Sequence, residues 1–495
     1  IIIKSGYSKI ISLNIFKQVR YEVYQQMLTY SFTNIGSDSL YIHLYKCLKN
    51  DILSGVLTPG AKLPSKRSFA KNLGISVITV ENAYEQLIAE GYVYSIPKKG
   101  FFVVDMKKNS NVSRILIQDT QNNHRVVEDK HIADFTSNTT LSSHFPFSIW
   151  SKLLRDVLSD FQNEIMDSTP SGGALELRQS ISKHLHDFRG MNVTPSQIII
   201  GAGTENLYSQ LVQLLGHDKC YGVEDPGYIK ISKIYKSNAA KCRFIHFGKE
   251  GIDISDLERQ DVNVAHISPS HHFPTGIVTS ISKRYELLGW ASKSKNRYII
   301  EDDYDSEFRL VGKPIPTLQS IDTTEKVIYM NTFTKSLSST MRISYMVLPK
   351  TLVKEYYEKL SFYTCPVTTL TQYTLARFIS RGYFEKHINR MRTFYRRQRD
   401  FLVSQIKNSK INDFTSISEE DAGLHFILKL KIKCDDKEFI RRMERRKVKI
   451  SALSEFYQNE NYKSKNCFIM NYSSLTAEQI ASAISEIVEE VNNLV

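Results

Sequence analysis

The chain has 495 residues, enough for two or three domains, and its 41% hydrophobic and 24% charged residues match an ordinary soluble globular protein. No apolar run approaches the ~18–20 residues that span a bilayer. The six cysteines are scattered, with no CxxC pair and no metal-ligand spacing to histidine, which argues against a disulfide framework or a zinc module and for reduced cytosolic thiols with no metal; a formal net charge of +13 permits a polyanionic partner without requiring one.

The N-terminus, IIIKSGYSKIISL, has no apolar core followed by a small-residue cleavage site, so it is not read as a signal peptide. Met27 opens the stretch MLTYSFTNIGSDSLY, which reads as a native start. Residues 1–26 are then a tag, a gene-model extension or a flexible arm, and residues 1–37 are grouped as an N-terminal extension.

Residues 38–104 carry the first clear pattern. Leu40, Leu44, Leu48 and Ile52 recur at helical spacing, and Gly55 and Pro59-Gly60 end that helix. A short helix is predicted after Pro64 (SKRSFAKNL). The turn Gly74-Ile75-Ser76 leads to a third helix, VITVENAYEQLIAEG, with Ser76 as N-cap and Val80, Tyr84, Leu87 and Ile88 on its apolar face. YVYSI, the turn Pro97-Lys98-Lys99-Gly100 and FFVV then read as a hairpin. Three helices with a tight turn before the third, plus a hairpin, make a winged helix-turn-helix. Such a module puts its third helix in the major groove and its hairpin tip, here Lys98 and Lys99, near the backbone or minor groove.

Residues 105–131 are polar, with little period apart from the patch RILI, and read as a linker. From residue 132 to the end, short apolar runs (Ile198–Ile200, Tyr298–Ile300, Val327–Met330) alternate with helical stretches. Three of these stretches are LYSQLVQLLG, SKRYELLGWASK and the long LTQYTLARFISRGYFEKHINRMRTFYRRQRDFL. The alternation predicts an α/β domain, an open and mostly parallel sheet with helices on both faces, whose ligands sit beyond the C-terminal ends of the strands.

Three segments follow those three runs. Gly201-Ala202-Gly203-Thr204-Glu205-Asn206 precedes a helix, and a glycine-containing loop at a helix N-terminus cradles phosphate through free N–H groups and the helix dipole. Glu301-Asp302-Asp303-Tyr304-Asp305 offers a carboxylate that can keep a pyridine nitrogen protonated, and a phenol two residues on that can meet a ring hydroxyl. Thr332-Phe-Thr-Lys335 through Arg342 offers a lysine able to form a Schiff base once burial lowers its pKa, with Thr332 and Arg342 as phosphate ligands. Each segment alone also reads as an ordinary loop. Together they supply what a pyridoxal 5'-phosphate (PLP) site requires.

Here the chain resembles the bacterial MocR/GabR-type regulators, in which a GntR-type winged helix is linked to a domain of the fold-type I aminotransferase class. The resemblance runs from about Met27 to the C-terminus. LPSKRSFAKNLGIS and TVENAYEQLIAEGY carry it in the first domain. IIIGAGTENL, VEDPGY, SPSHHFPTG, EDDYDSEFR, NTFTKSLSSTMRISYMVLP and GYFEKHINRMRTFYRRQRD carry it in the second, in the right order. It implies that Lys335 forms the internal aldimine, Asp302 pairs with the pyridine nitrogen, Tyr304 meets the ring oxygen and Tyr228 stacks on the ring. Ala202, Gly203, Thr204, Thr332 and Arg342 would surround the phosphate. Ser65, Arg67, Ser76 and Thr79 fall where GntR-type domains contact DNA. The implied partners are operator double-stranded DNA, a small-molecule effector (an amino acid, an amine or PLP itself), a second copy in a head-to-tail homodimer and RNA polymerase. A cytoplasmic location, without a membrane, goes with them.

Some positions depart from a working aminotransferase. Phe273 stands where those enzymes carry an asparagine before Pro-Thr-Gly. Ile469 stands where they carry the arginine that clamps the substrate carboxylate, and Lys230 is a candidate substitute. Ser339-Thr340 replaces a Pro-Gly but keeps the spacing from Lys335 to Arg342. Val77 replaces an arginine after the N-cap of the third helix, which predicts weaker DNA binding or an apolar contact there, such as a thymine methyl. The leading reading is a PLP-dependent transcription regulator that senses an amine or PLP by aldimine exchange at Lys335. The alternatives are an active aminotransferase carrying a DNA-binding module, and a repressor whose large domain only dimerises.

Overall fold

In the computed structural model, leucines one helical turn apart close the first helix of a small core. Helix α1 spans Leu40–Leu53, and Leu44, Leu48 and Ile52 are buried along one side. Helix α2 (Lys66–Leu73) starts at Ser65, whose hydroxyl accepts the Ser68 N–H at 3.2 Å. Helix α3 (Val77–Ala89) starts at Ser76, which accepts the Thr79 N–H at 3.1 Å. Strands β1 (Val93–Ile96) and β2 (Gly100–Val103) pair antiparallel, with Val93 opposite Val103. Phe69, Val80, Tyr84 and Leu87 meet in the centre, and the Tyr84 hydroxyl donates to Pro64 O at 3.0 Å. Ile88, expected in this core, is only partly buried.

The described residues are 28–32, 38–105, 131–137, 139–312, 315–421, 423–460 and 463–495. Most of the expected N-terminal extension, with Met27, and all but the two ends of the expected linker lie outside them. Within the extension, Leu28, Tyr30 and Phe32 pack on the small core. The Tyr30 hydroxyl donates to Asp51 at 2.6 Å and its ring stands edge-on to Phe69, so residues ahead of position 38 take part in the packing of the small unit. The chain divides into two compact units, 1–126 and 127–495.

The large unit is built on eight strands: β3 (Ile198–Gly201), β4 (Cys220–Asp225), β5 (Lys241–Gly248), β6 (Gly251–Ile252), β7 (Val264–Ile267), β8 (Tyr298–Asp302), β9 (Val327–Thr332) and β10 (Ser344–Val347). Their order is β3-β10-β9-β8-β7-β4-β5-β6. The pairs among β5, β4, β7, β8 and β9 are parallel, while β10 and β6 run antiparallel to their neighbours. Side chains alternate between two apolar layers: Ile198 and Ile200 join Leu177 and Ile181, whereas Ile199 joins Leu207 and Leu211. Burial on both faces explains the continuous Ile/Val runs.

Two features were not legible in the pattern. The long stretch from Leu370 to Leu402 is not one helix but two, Thr369–Ser380 and Tyr383–Lys407. They are broken at Gly382, whose φ of 75° leaves the helical region. A second, antiparallel sheet is also present, made of β11 (Thr415–Ser418), β12 (His425–Leu430), β13 (Ser451–Ala452) and β14 (Cys467–Asn471) in the order β11-β12-β14-β13. Among the described residues no helix is long and apolar enough to cross a membrane.

Candidate functional site

The parallel strands all end at one edge of the large sheet. The loops after β3, β4, β7, β8 and β9 therefore converge there, and a cavity of about 210 Å³ lies among them. Its lining includes Gly203, Thr204, Tyr228, Asp302, Tyr304, Thr332, Lys335 and Arg342. Eight of the nine cofactor-site residues expected from sequence thus meet around one space. Ala202 is absent from the lining, but its carbonyl accepts from Arg342 Nη2 at 3.4 Å.

Lys335 sits in a one-turn helix, Phe333–Ser336, directly after β9 and is buried. Loss of water pushes its pKa down to about 7, against the pull of Asp305. A large fraction of this amine is neutral, hence nucleophilic, at physiological pH. Thr332 caps the turn by accepting the Thr334 N–H at 3.2 Å, and takes a hydrogen bond from the Ser344 hydroxyl at 2.8 Å. The turn is thereby tied to β10, and the lysine has a fixed base.

Asp302 ends β8 with one oxygen engaged and the other not. Its Oδ2 accepts from the Tyr208 hydroxyl at 2.6 Å and lies 3.4 Å from His266 Nε2. The far ring nitrogen of His266 is 2.7 Å from the Tyr235 hydroxyl. Asp302 Oδ1 is buried with no hydrogen-bond partner among the described residues. An orphaned carboxylate oxygen at a cavity wall is costly unless a donor arrives. The Tyr304 hydroxyl lies 3.1 Å from His271 Nδ1, which also faces Asp305 at 2.8 Å. Burial and the Asp305 charge push the Tyr304 phenol well up, so it stays protonated.

At the mouth, Gly203 has φ 86°, and a Cβ there would come within 2.6 Å of Arg342 Nη2. Only glycine lets the guanidinium lie across this loop. Arg342 Nη2 reaches Glu205 at 3.3 Å, and Lys230 pairs with the same carboxylate. Tyr228, about half exposed, stands edge-on to Phe273 with ring centroids 5.9 Å apart.

In the small unit Ser65, Arg67, Ser76, Lys98 and Lys99 are exposed and Thr79 is half-buried. Val77 and Ile78 also face solvent, Ile78 with 67% of its surface exposed. The N-terminal turn of α3 thus presents apolar groups beside Ser76, whose hydroxyl lies 2.8 Å from that of Thr79. Lys98 occupies the hairpin tip with φ 62°.

Residues 130–487 match the aminotransferase class I and II family, and residues 40–103 match the bacterial regulatory proteins of the gntR family. The chain is 39% identical over 420 residues to the uncharacterized HTH-type transcriptional regulator YdeL of Bacillus subtilis (strain 168), covering 85% of this chain and 90% of that one. It is 29% identical to the probable rhizopine catabolism regulatory protein MocR of Rhizobium meliloti, over 90% of this chain and 92% of that one. This chain belongs to the MocR-type HTH transcriptional regulators. The large unit of the regulator also shares its fold with a multiple substrate aminotransferase from Thermococcus profundus. The TM-score is 0.66 and the identity 20%, over 74% of this chain and 93% of that one.

Several groups in and around the regulator's cavity were not legible in the sequence. His266 sits alone in the apolar strand VAHI, and an isolated histidine at the buried end of a strand was the available signal. Tyr208 lies one turn into the helix after the glycine loop. His271 and Asp305 are 34 residues apart and pair only because β7 and β8 are neighbours. Glu205, quoted only as part of its loop, proves to bridge Lys230 and Arg342. His425, at the start of β12, is buried against His271 with ring centroids 4.7 Å apart. Desolvation and the neighbouring His271 hold its pKa well below the ordinary histidine value, so it stays neutral.

Proposed function

We propose that the cavity of this regulator holds pyridoxal 5'-phosphate and that the ligand state of the cavity sets the affinity of the winged helix for operator DNA. The observation that carries the reading is the pairing of a buried lysine of lowered pKa with a buried, unpartnered Asp302 oxygen in one cavity. The donor set fits the cofactor. Lys335 would take the aldehyde, Asp302 Oδ1 the ring nitrogen, Tyr304 the ring oxygen and Tyr228 a ring face. Thr204, Thr332, Arg342 and the backbone at Ala202-Gly203 would take the phosphate. Bound there, the cofactor supplies an aldehyde carbon that a free amine can attack.

The chain's own residues do the rest. Tyr208 and His266 hold Asp302 in place, and Asp302 keeps a proton on whatever nitrogen meets it. Arg342 trades the Glu205 carboxylate for a phosphate. The protonated Tyr304 donates to an oxyanion, and His271 with Asp305 fixes its hydroxyl. An effector bearing an amino group, or the cofactor itself, would favour one of two arrangements of a head-to-tail homodimer, and that differential affinity would change DNA binding. Ser65, Arg67, Ser76, Thr79, Lys98 and Lys99 would form the DNA contacts. Ile469 supports sensing over turnover: it is buried among Ile427, Leu453 and Cys467, where an aminotransferase would need a charged clamp.

The test is direct. Full-length protein mixed with PLP should develop a visible absorbance band, and Lys335→Ala should not. A wild-type protein that stays colourless overturns the reading. Operator affinity should differ between loaded and unloaded protein in a gel-shift titration, and identical affinities would remove the sensor role.

A further inference from the structure

We infer that the effector of this cavity is a primary amine with an apolar body and no carboxylate. The inference rests on the reading just given and names the class of ligand that the same site accepts. It follows from the charges and surfaces around the cavity.

Among the described lining residues there are three cations, Lys230, Lys335 and Arg342. Glu205 engages both Lys230 and Arg342. If a phosphate takes Arg342, Glu205 still holds Lys230. Lys335 is buried and drawn toward neutrality, and in the proposed function it holds the cofactor. Among the described residues, no lining cation is therefore left for a ligand carboxylate.

The acidic groups point the other way. Glu205, Glu224 and Asp302 line the cavity, and Asp305 acts on Lys335 from behind it. Glu224 accepts the Ser268 N–H at 3.2 Å, and burial raises its pKa well above the ordinary range, a sign that negative charge is already disfavoured at this wall. A second carboxylate brought in by a ligand would be desolvated without a partner and repelled. An ammonium approaching Glu205 would be attracted, and the Glu224 carboxyl, drawn toward its neutral form by burial, would add no repulsion.

One wall of the cavity is mostly apolar. Ile231, Ile234, Tyr228 and Phe273 line it. Phe273 stands edge-on to Phe456 at 5.3 Å, and Phe456 packs on the cluster of Ile427, Leu453 and Ile469. This wall can cover a hydrocarbon or aromatic body, and its one polar group, the Tyr228 hydroxyl, brings no positive charge to a carboxylate.

Phenethylamine and L-phenylalanine share a body and differ by one carboxylate, so they separate the two classes. Each is titrated into PLP-loaded full-length protein, with the change in the visible spectrum and the shift in thermal midpoint as readouts. Phenethylamine should act at a concentration at least tenfold lower than phenylalanine. Equal or stronger action of phenylalanine, or no response to either, overturns the inference. Glu205→Gln removes the carboxylate that occupies Lys230, and should narrow the preference at least threefold by improving the response to phenylalanine. An unchanged ratio overturns the assignment of Glu205 as the group that withholds the cation. A wild-type protein with no visible band before any amine is added overturns the proposed function itself. A band followed by a response to the amino acid overturns only the ligand class.

Discussion

Arg67, Lys98 and Lys99 of the small unit stand in water, while Lys335, Asp302, Asp303 and Arg189 of the large unit are almost wholly removed from it. The small unit keeps an apolar centre of Leu44, Leu48, Phe69, Tyr84 and Leu87, with its charges outside. The large unit threads ionisable groups through its middle: Arg189 bonds Asp303 at 2.6 Å, Tyr329 donates to the same carboxylate at 2.7 Å, and the Glu301 and Glu307 carboxyls are pushed up to about 7 by burial and by Asp303. In the proposed function the difference follows from what each unit would recognise. A phosphate backbone is long, solvated and already charged, so exposed cations suffice. A small molecule offers few atoms, and each contact gains strength only where water is excluded.

That contrast can be broken by substitution. Arg189→Met leaves Asp303 buried without its cation and should lower the stability of the large unit by about 3–5 kcal/mol. Chemical denaturation followed by tryptophan fluorescence reads this well, because Trp150 and Trp290 both lie in the large unit. An unchanged midpoint would mean that the buried pair is no more than an exposed one.

A second test uses pH. With the Lys335 pKa near 7, the rate of PLP capture should rise roughly tenfold between pH 6 and 8 and then level off. Stopped-flow absorbance checks it, and a rate still climbing steeply above pH 9 would describe a solvated lysine instead. The same group gives a stability signature in cofactor-free protein. Its folded pKa lies below its unfolded one, so its contribution is complete above the unfolded value of 10.5 and is lost as pH falls toward about 7. Lys335→Met should flatten that part of the stability curve.

Two smaller effects sharpen the other side. Ser76→Ala removes the cap of α3 and should cost the small unit about 1 kcal/mol, read as a lower thermal midpoint of that unit. Arg67→Ala should leave stability unchanged and reduce the slope of log operator affinity against log salt by about 1, as loss of one phosphate contact requires. A slope equal to wild type would take Arg67 off the DNA surface.

Much of the candidate site was legible because its residues lie next to strand ends. Lys335, Asp302, Tyr304 and Gly203 each follow an apolar run within a few positions, and a parallel sheet gathers such positions at one edge. The small unit was legible for a similar reason: leucine spacing, a serine cap and a Pro-Lys-Lys-Gly turn are local signals. Long-range pairings were not. Arg189, at the end of a helix, and Asp303 are 114 residues apart, His271 and Asp305 are 34 apart, and only the packing of the large unit brings them together. The break at Gly382 was hidden because the apolar period continues on both sides of it.

The amino-acid sequence by itself determined which residues could do chemistry and which elements carry them, since caps, periods and strand ends depend on neighbours a few residues away. Tertiary structure alone decided which of those groups meet and in what charge state. Lys335 is a weak base because the fold takes it out of water, Asp302 keeps one oxygen unsatisfied because Tyr208 and His266 occupy the other, and Glu205 claims two cations because the loops after β3, β4 and β9 converge. Desolvation and pairing are properties of the packed space around a group, and no local stretch of chain contains that space.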